Sequence, residues 1–227
     1  MNLSIPTLDL DRITATVIKA YFTADLHVDV MAENVIPLKR LIRKHGLTVD
    51  EVPKLTRHEA ARYLAEQTGR QMIQGTVSTE PLSGFLFANA VGGWILVRQS
   101  DPLVRRRFTI AHELGHYLLH FLPALEAASA RQDEDLMEFE ERMSAPEKIA
   151  DENEMGTGAA TLSDGIGEEI SALDQEAVEK QADAFAAAIL MPQAMCRRLI
   201  AKYVDRGMSE RRVLARRLAS ECLVLQR

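Results

Sequence analysis

His112-Glu113-Leu114-Gly115-His116 carries residue types and a spacing that point to metal chemistry. Two histidines four positions apart lie on one face of a helix, so both imidazoles can reach one ion at about 2.0–2.1 Å. Glu113 is turned only about 100° from His112, close enough to act as general base on a metal-activated water. With 6 His and 20 Glu in the chain, chance alone would produce this motif in roughly one such sequence in seventy, so its context has to carry the assignment. Apolar Phe108, Ile110, Ala111, Leu114, Leu118 and Leu119 surround it and predict a buried helix. Unpaired polar groups there would cost several kcal/mol, roughly, and a metal would satisfy all three at once. Gly115 either keeps the space beside the site open or allows close helix–sheet packing.

Two histidines leave the protein one ligand short of the usual three of a catalytic zinc site. His120 extends the stripe, but eight residues of straight helix place it about 12 Å from His112, too far to share the ion. It reads instead as a capping or ligand-supporting residue at the helix end. The sequence Tyr117-Leu118-Leu119-His120 also lacks the glycine turn of HExxHxxGxxH proteins. The other donors lie on a second helix, expected from about Leu173 to Met191 and ended by Pro192. Its apolar stripe is Val178, Ala182, Phe185 and Ile189, and Glu179 and Asp183 sit one turn apart beside it. Glu176, one turn earlier, is a rival donor.

The elements that must position these residues follow from pattern. Residues 1–50 read as mostly helical, with Leu38, Leu41 and Ile42 spaced for one face before Gly46 stops the run. Thr56 and Glu59 form a capping-box pattern for a helix over Arg57–Thr68, closed by Gly69. Gly84–Ala88 and Trp94–Val97 are short apolar runs either side of a turn, which predicts a β-hairpin. Ser100 or Asp101 caps the next helix, with Pro102 in its first turn, and that helix carries HExxH to about His120, before Pro123. Residues 121–170 read as an acidic, solvated insertion with one helix over Asp133–Met143, and 193–227 as a basic helical tail whose pattern runs to the last residue.

Taken together, Arg106-Arg107-Phe108-Thr109-Ile110-Ala111-His112-Glu113-Leu114-Gly115-His116, Glu179-x-x-Ala182-Asp183-x-Phe185-Ala186 and Leu190-Met191-Pro192 resemble the ImmA/IrrE family of metallopeptidases. The hairpin strands are similar to that family's as well. The resemblance covers about residues 55–120 and 170–200. It implies a zincin-like α+β fold, with a small, mainly antiparallel sheet packed on helices that include the HExxH helix. It implies His112, His116 and Glu179 as metal ligands, Glu113 as catalytic base and Asp183 as a residue supporting a ligand. The expected organisation is an N-terminal helical region over 1–50, a metallopeptidase domain over 51–200 with the acidic insertion at about 121–170, and a tail over 201–227. Two departures stand out. Fifty-eight residues separate His120 from Glu179, a gap that is long for the family, and no convincing N-terminal helix-turn-helix is present, although Leu38–Leu55 faintly imitates one.

Composition sets the remaining bounds. At 47% hydrophobic and 26% charged the chain has the make-up of an ordinary globular protein, and no apolar run approaches the ~18 residues of a membrane span. Asp9, Asp11, Asp25 and Asp29 argue against a leader peptide, and two cysteines, Cys196 and Cys222, against a disulfide framework, so a cytoplasmic protein is expected. Net charge is −6, but residues 126–180 hold 17 acidic against 4 basic side chains, whereas 181–227 are net +5. DNA binding through the basic tail is therefore not expected; a solvated amphipathic helix accounts for it.

The expected function is metal-dependent endopeptidase cleavage of a regulatory protein, and the family resemblance suggests a helix-turn-helix transcriptional repressor. The alternative is a non-proteolytic metal-containing module that binds such a regulator. Two His and one carboxylate suit Zn2+, with Mn2+ or Fe2+ chemically allowed. An extended substrate could add to a free sheet edge near Gly84–Phe87. Tyr117, Tyr203, His120 and Arg107 are the candidates for oxyanion stabilisation, although Arg105, Arg106 and Arg107 read first as solvating the helix start.

Overall fold

The computed structural model describes residues 9–27, 33–69, 80–89, 92–131, 138–144 and 175–224. In chain order the elements are α1 (Leu10–Thr23), α2 (Leu38–Lys44), β1 (Leu47–Val52), α3 (Arg57–Thr68), β2 (Leu82–Asn89), β3 (Gly93–Arg98) and α4 (Leu103–His116). A π-turn (Tyr117–Phe121) then leads into α5 (Leu122–Arg131), followed by β4 (Glu138–Ser144), α6 (Gln175–Leu190), α7 (Gln193–Val204) and α8 (Arg211–Cys222).

The four strands form one mixed sheet in the order β1-β3-β2-β4. The hairpin pairs antiparallel, with Gly84 opposite Val97 and Phe87 opposite Trp94. β1 joins β3 in parallel, and β4 joins β2 antiparallel. This is the α+β, mainly antiparallel arrangement expected of a zincin-like fold. Both faces of the hairpin are buried, which is why its strands read as continuous apolar runs. Leu86, Ala88, Ile95 and Val97 face the main core with α1, α4 and α6. Phe85, Phe87 and Leu96 face the other way, against Ala60 and Leu64 of α3.

Several expectations change. Helix does not extend through residue 50, because after Gly46, whose φ of 74° suits glycine, the chain turns into strand β1. Leu38–Leu55 is thus helix then strand, not helix-turn-helix. The boundary expected at residue 50 falls inside β1, and Ile13, Val17 and Leu41 share one core with Leu114 and Phe185. The cap position of α4 is Pro102 itself; Asp101 accepts from Arg98 Nε at 2.9 Å and lies 3.2 Å from Arg105 Nε. Where a helix over Asp133–Met143 was expected, residues 138–143 belong to strand β4. β4 also covers the β2 edge expected to be free for a substrate strand. Residues 132–137 and 145–174, most of the expected acidic insertion, lie outside the described residues. The tail is two helices broken around Gly207, and α8 ends at Cys222, with Leu223 as its left-handed cap.

The HExxH helix does not stop before Pro123. The π-turn lets the Leu122 amide donate to the Tyr117 carbonyl, five residues back, and α5 continues with Pro123 in its first turn. A proline there lacks the N–H that would bond the Leu119 carbonyl. The Arg12 guanidinium of α1 donates to that carbonyl instead.

Candidate metal centre

α4 and α6 cross closely because the contact residues are small. A Cβ on Gly115 would sit 3.1 Å from Phe185 Cδ1 and 3.2 Å from Ala182 Cα. The close packing that Gly115 permits is thus helix on helix, rather than helix on sheet. The crossing brings Glu179 of α6 to the two histidines of α4. His112 Nε2 and His116 Nε2 are 2.8 Å apart; Glu179 Oε2 is 3.2 Å from the first, and its Oε1 is 3.6 Å from the second. Among the described residues this is a group of three side chains whose ligand atoms all lie within 4.8 Å of one another. Glu176, the rival, points elsewhere and pairs with Lys180 on the exposed surface.

The donor set fits a divalent cation. Tetrahedral bonds of 2.0–2.2 Å put ligand atoms about 3.4 Å apart, and the observed 2.8, 3.2 and 3.6 Å bracket that value. Two buried imidazole nitrogens facing each other need a proton or a cation between them, and His112 and His116 are 1% and 0% exposed. Asp183 Oδ1 lies 3.0 Å from His112 Nδ1, which fixes that nitrogen as the N–H donor and turns Nε2 toward the convergence point. Asp183 is thus placed to orient the His112 ring.

The local electrostatics keep the two rings distinct. Burial works against a charge on His112, but the bonds to Asp183 and Glu179 and the charge of Glu113 outweigh it, raising its pKa to about 9. His116 is driven well below the ordinary value by burial and by the neighbouring His112 and His120. His120 is buried too; desolvation and the Arg12 charge lower it to about 4, while its bond to the Val178 carbonyl opposes the shift. His120 does not join the three converging side chains, as the helix geometry required.

Glu113 is fully buried on the sheet side of α4. Its room comes from Gly84 of β2: a Cβ there would overlap Glu113 Oε1 and the Thr109 methyl. Sequence reasoning missed Gly84, although a glycine inside a strand is itself a signal of close approach. Three of the four oxyanion candidates are engaged elsewhere. Tyr117 donates to the His45 carbonyl at 3.3 Å, Tyr203 to Glu221, and Arg107 to the Ile36 carbonyl at 2.9 Å. The arginines do not merely solvate the helix start: Arg105 donates to Ser83 at 2.8 Å and Arg106 pairs with Glu51.

Residues 65–153 match the family model of the IrrE N-terminal-like domain, an M78 peptidase. Over that stretch, which is less than half of the chain, it is similar to the ImmA/IrrE-type metallopeptidases. The matched stretch holds β2, β3 and the HExxH helix of this family and ends before Glu179, so the third side chain enters the site on geometry alone. No curated protein matches the chain. The family is one of metal-dependent peptidases, which implies a protein substrate. Among the described residues no single helix is long and apolar enough to cross a membrane.

Proposed function

We propose that this metallopeptidase uses Zn2+ held by His112, His116 and Glu179 to cut a regulatory protein, a helix-turn-helix transcriptional repressor, in a cytoplasmic stress or transcription response. The convergence of these three side chains beside a buried Glu113 supports the catalytic part of the reading. The repressor substrate rests on the family alone.

A bound divalent cation at this point supplies Lewis acidity to a scissile carbonyl and to water. Glu113, next in sequence to His112, takes a proton from water and passes it to the leaving amine. Asp183 holds the His112 tautomer, and the packing of α4 on β2 keeps the Glu113 carboxylate out of bulk solvent. β4 lies on the β2 edge, so an extended substrate aligned with the sheet meets β4 first.

The test is co-expression with candidate repressors. A fragment should form with the natural chain and disappear with Glu113→Gln, which keeps the metal because it alters only the base. His112→Ala and His116→Ala should lose metal and hydrolysis together. A Glu113→Gln protein that still cuts at the natural rate would sink the mechanism. Metal binding with no Glu113-dependent fragment of any repressor would leave only a binding module.

A further inference from the structure

His120 is a buried polar side chain that the proposed chemistry leaves without a task. It is 5% exposed and projects from the π-turn, with its ring centroid 5.6 Å from that of His116. Its imidazole bonds the backbone carbonyl of Val178, on the neighbouring helix α6. Its Nε2 has no hydrogen-bond partner among the described residues, so Nδ1 carries the donated proton. Val178 immediately precedes Glu179.

The π-turn is held on both sides. Pro123 frees the Leu119 carbonyl, and Arg12 of α1 takes it. One residue later His120 reaches α6. Single π-turns persist where the altered winding serves a site, because they forgo regular helix bonding. Glu179 is itself 38% exposed, and its carboxylate lies across a helix–helix gap from both histidines. Its position therefore depends on the axial register of α6 against α4. The Gly115 crossing fixes how near the helices come, at Ala182 and Phe185. Nearer Glu179, the Asp183–His112 contact and the buried Val178 side chain hold α6 as well, and the Val178 carbonyl is the anchor immediately before Glu179.

We infer that His120 is a positioning residue: through the Val178 carbonyl it locks the register of α6 so that Glu179 meets His112 and His116. This rests on reading those three side chains as the metal site. Its test is chosen to survive the failure of the peptidase reading.

Full-length protein is prepared as the natural chain, as His120→Leu, which removes the donor, and as His120→Asn, whose side-chain amide places an N–H near the position of Nδ1. Co2+ affinity is measured by chelator competition together with the visible spectrum, and backbone amide exchange is followed in the metal-free protein. His120→Leu is expected to weaken Co2+ binding about 10–100-fold, the usual effect of removing a group that orients a ligand. It should also alter the Co2+ spectrum and speed exchange over residues 176–183. His120→Asn should restore both to within about threefold, which lost packing volume alone would not allow. Natural affinity and exchange in His120→Leu would overturn the inference. So would an Asn variant as impaired as Leu, or exchange that rises equally in every helix. If even the natural chain binds no Co2+, the metal reading fails while the exchange result still decides the register lock. If Co2+ binds as expected but no protein is cut, only the peptidase reading fails.

Discussion

Gly84 exposes the site to a direct residue-scale test. It touches no ligand, yet a single methyl there would occupy the space of the Glu113 carboxylate and the Thr109 methyl. Gly84→Ala is expected to keep the metal and lower hydrolysis about 100-fold, the usual cost of displacing a reacting group by about 1 Å. Metal analysis beside a cleavage assay checks it; unchanged hydrolysis would mean that Glu113 is not the base, or that β2 yields at no cost. The two histidines and Glu113 were legible in the sequence because their geometry is local to one helix turn. Pattern alone did not separate Glu179 from Glu176, since both flank the same apolar stripe and only the roll of α6 decides which faces α4; the family resemblance is what selected Glu179. That roll is tertiary, set by Val178, Ala182 and Phe185 entering the core.

At the scale of elements, the crossing of α4 and α6 controls the site. Gly115→Ala would bring a methyl to 3.1 Å from Phe185 Cδ1 and 3.3 Å from the Ala182 carbonyl oxygen, so α6 must retreat by a few tenths of an ångström. Overpacking of this kind costs about 1–3 kcal/mol. Because Glu179 rides on the retreating helix, metal affinity should fall further than the urea midpoint of the metal-free protein implies. An affinity loss no larger than the stability loss would show that α6 repacks without moving Glu179. The hairpin, α3 and α6 were readable from period and caps: Thr56 accepts from the Glu59 amide at 3.2 Å, and Gly69 closes α3 at φ 68°. The edge strands were not. Phe139 and Met143 are four apart, a spacing that suits a helix face and a strand face equally, and pairing at an edge runs through the backbone, which leaves little pattern in the residue types. The π-turn was equally hidden, because Pro123 announces an end that Arg12 supplies the means to avoid.

On the scale of the whole molecule, Arg105, Arg106 and Arg107 join the HExxH helix to three parts of the chain. About 100° apart on α4, they reach Ser83 of β2, Glu51 of β1 and the Ile36 carbonyl ahead of α2. Read as a charge run they looked like a solvated helix start; only the folded neighbours reveal what each one holds. Their weights should differ with burial. Ile36 is fully buried, so Arg107→Met leaves a carbonyl with no water to replace the lost donor and should cost about 1–3 kcal/mol. Glu51 is 44% exposed, and Arg106→Met should cost less than about 1 kcal/mol, as surface pairs do. Urea unfolding of the metal-free protein measures both. Because α1 and α2 share their core with α4 and α6, the Arg107→Met transition should remain single and shift as a whole, with probes on Tyr21 and Trp94 reporting the same midpoint. Separate midpoints would mean that the N-terminal helices are an independent layer, and equal costs for the two arginines would mean that burial of the Ile36 carbonyl does not set their ranking.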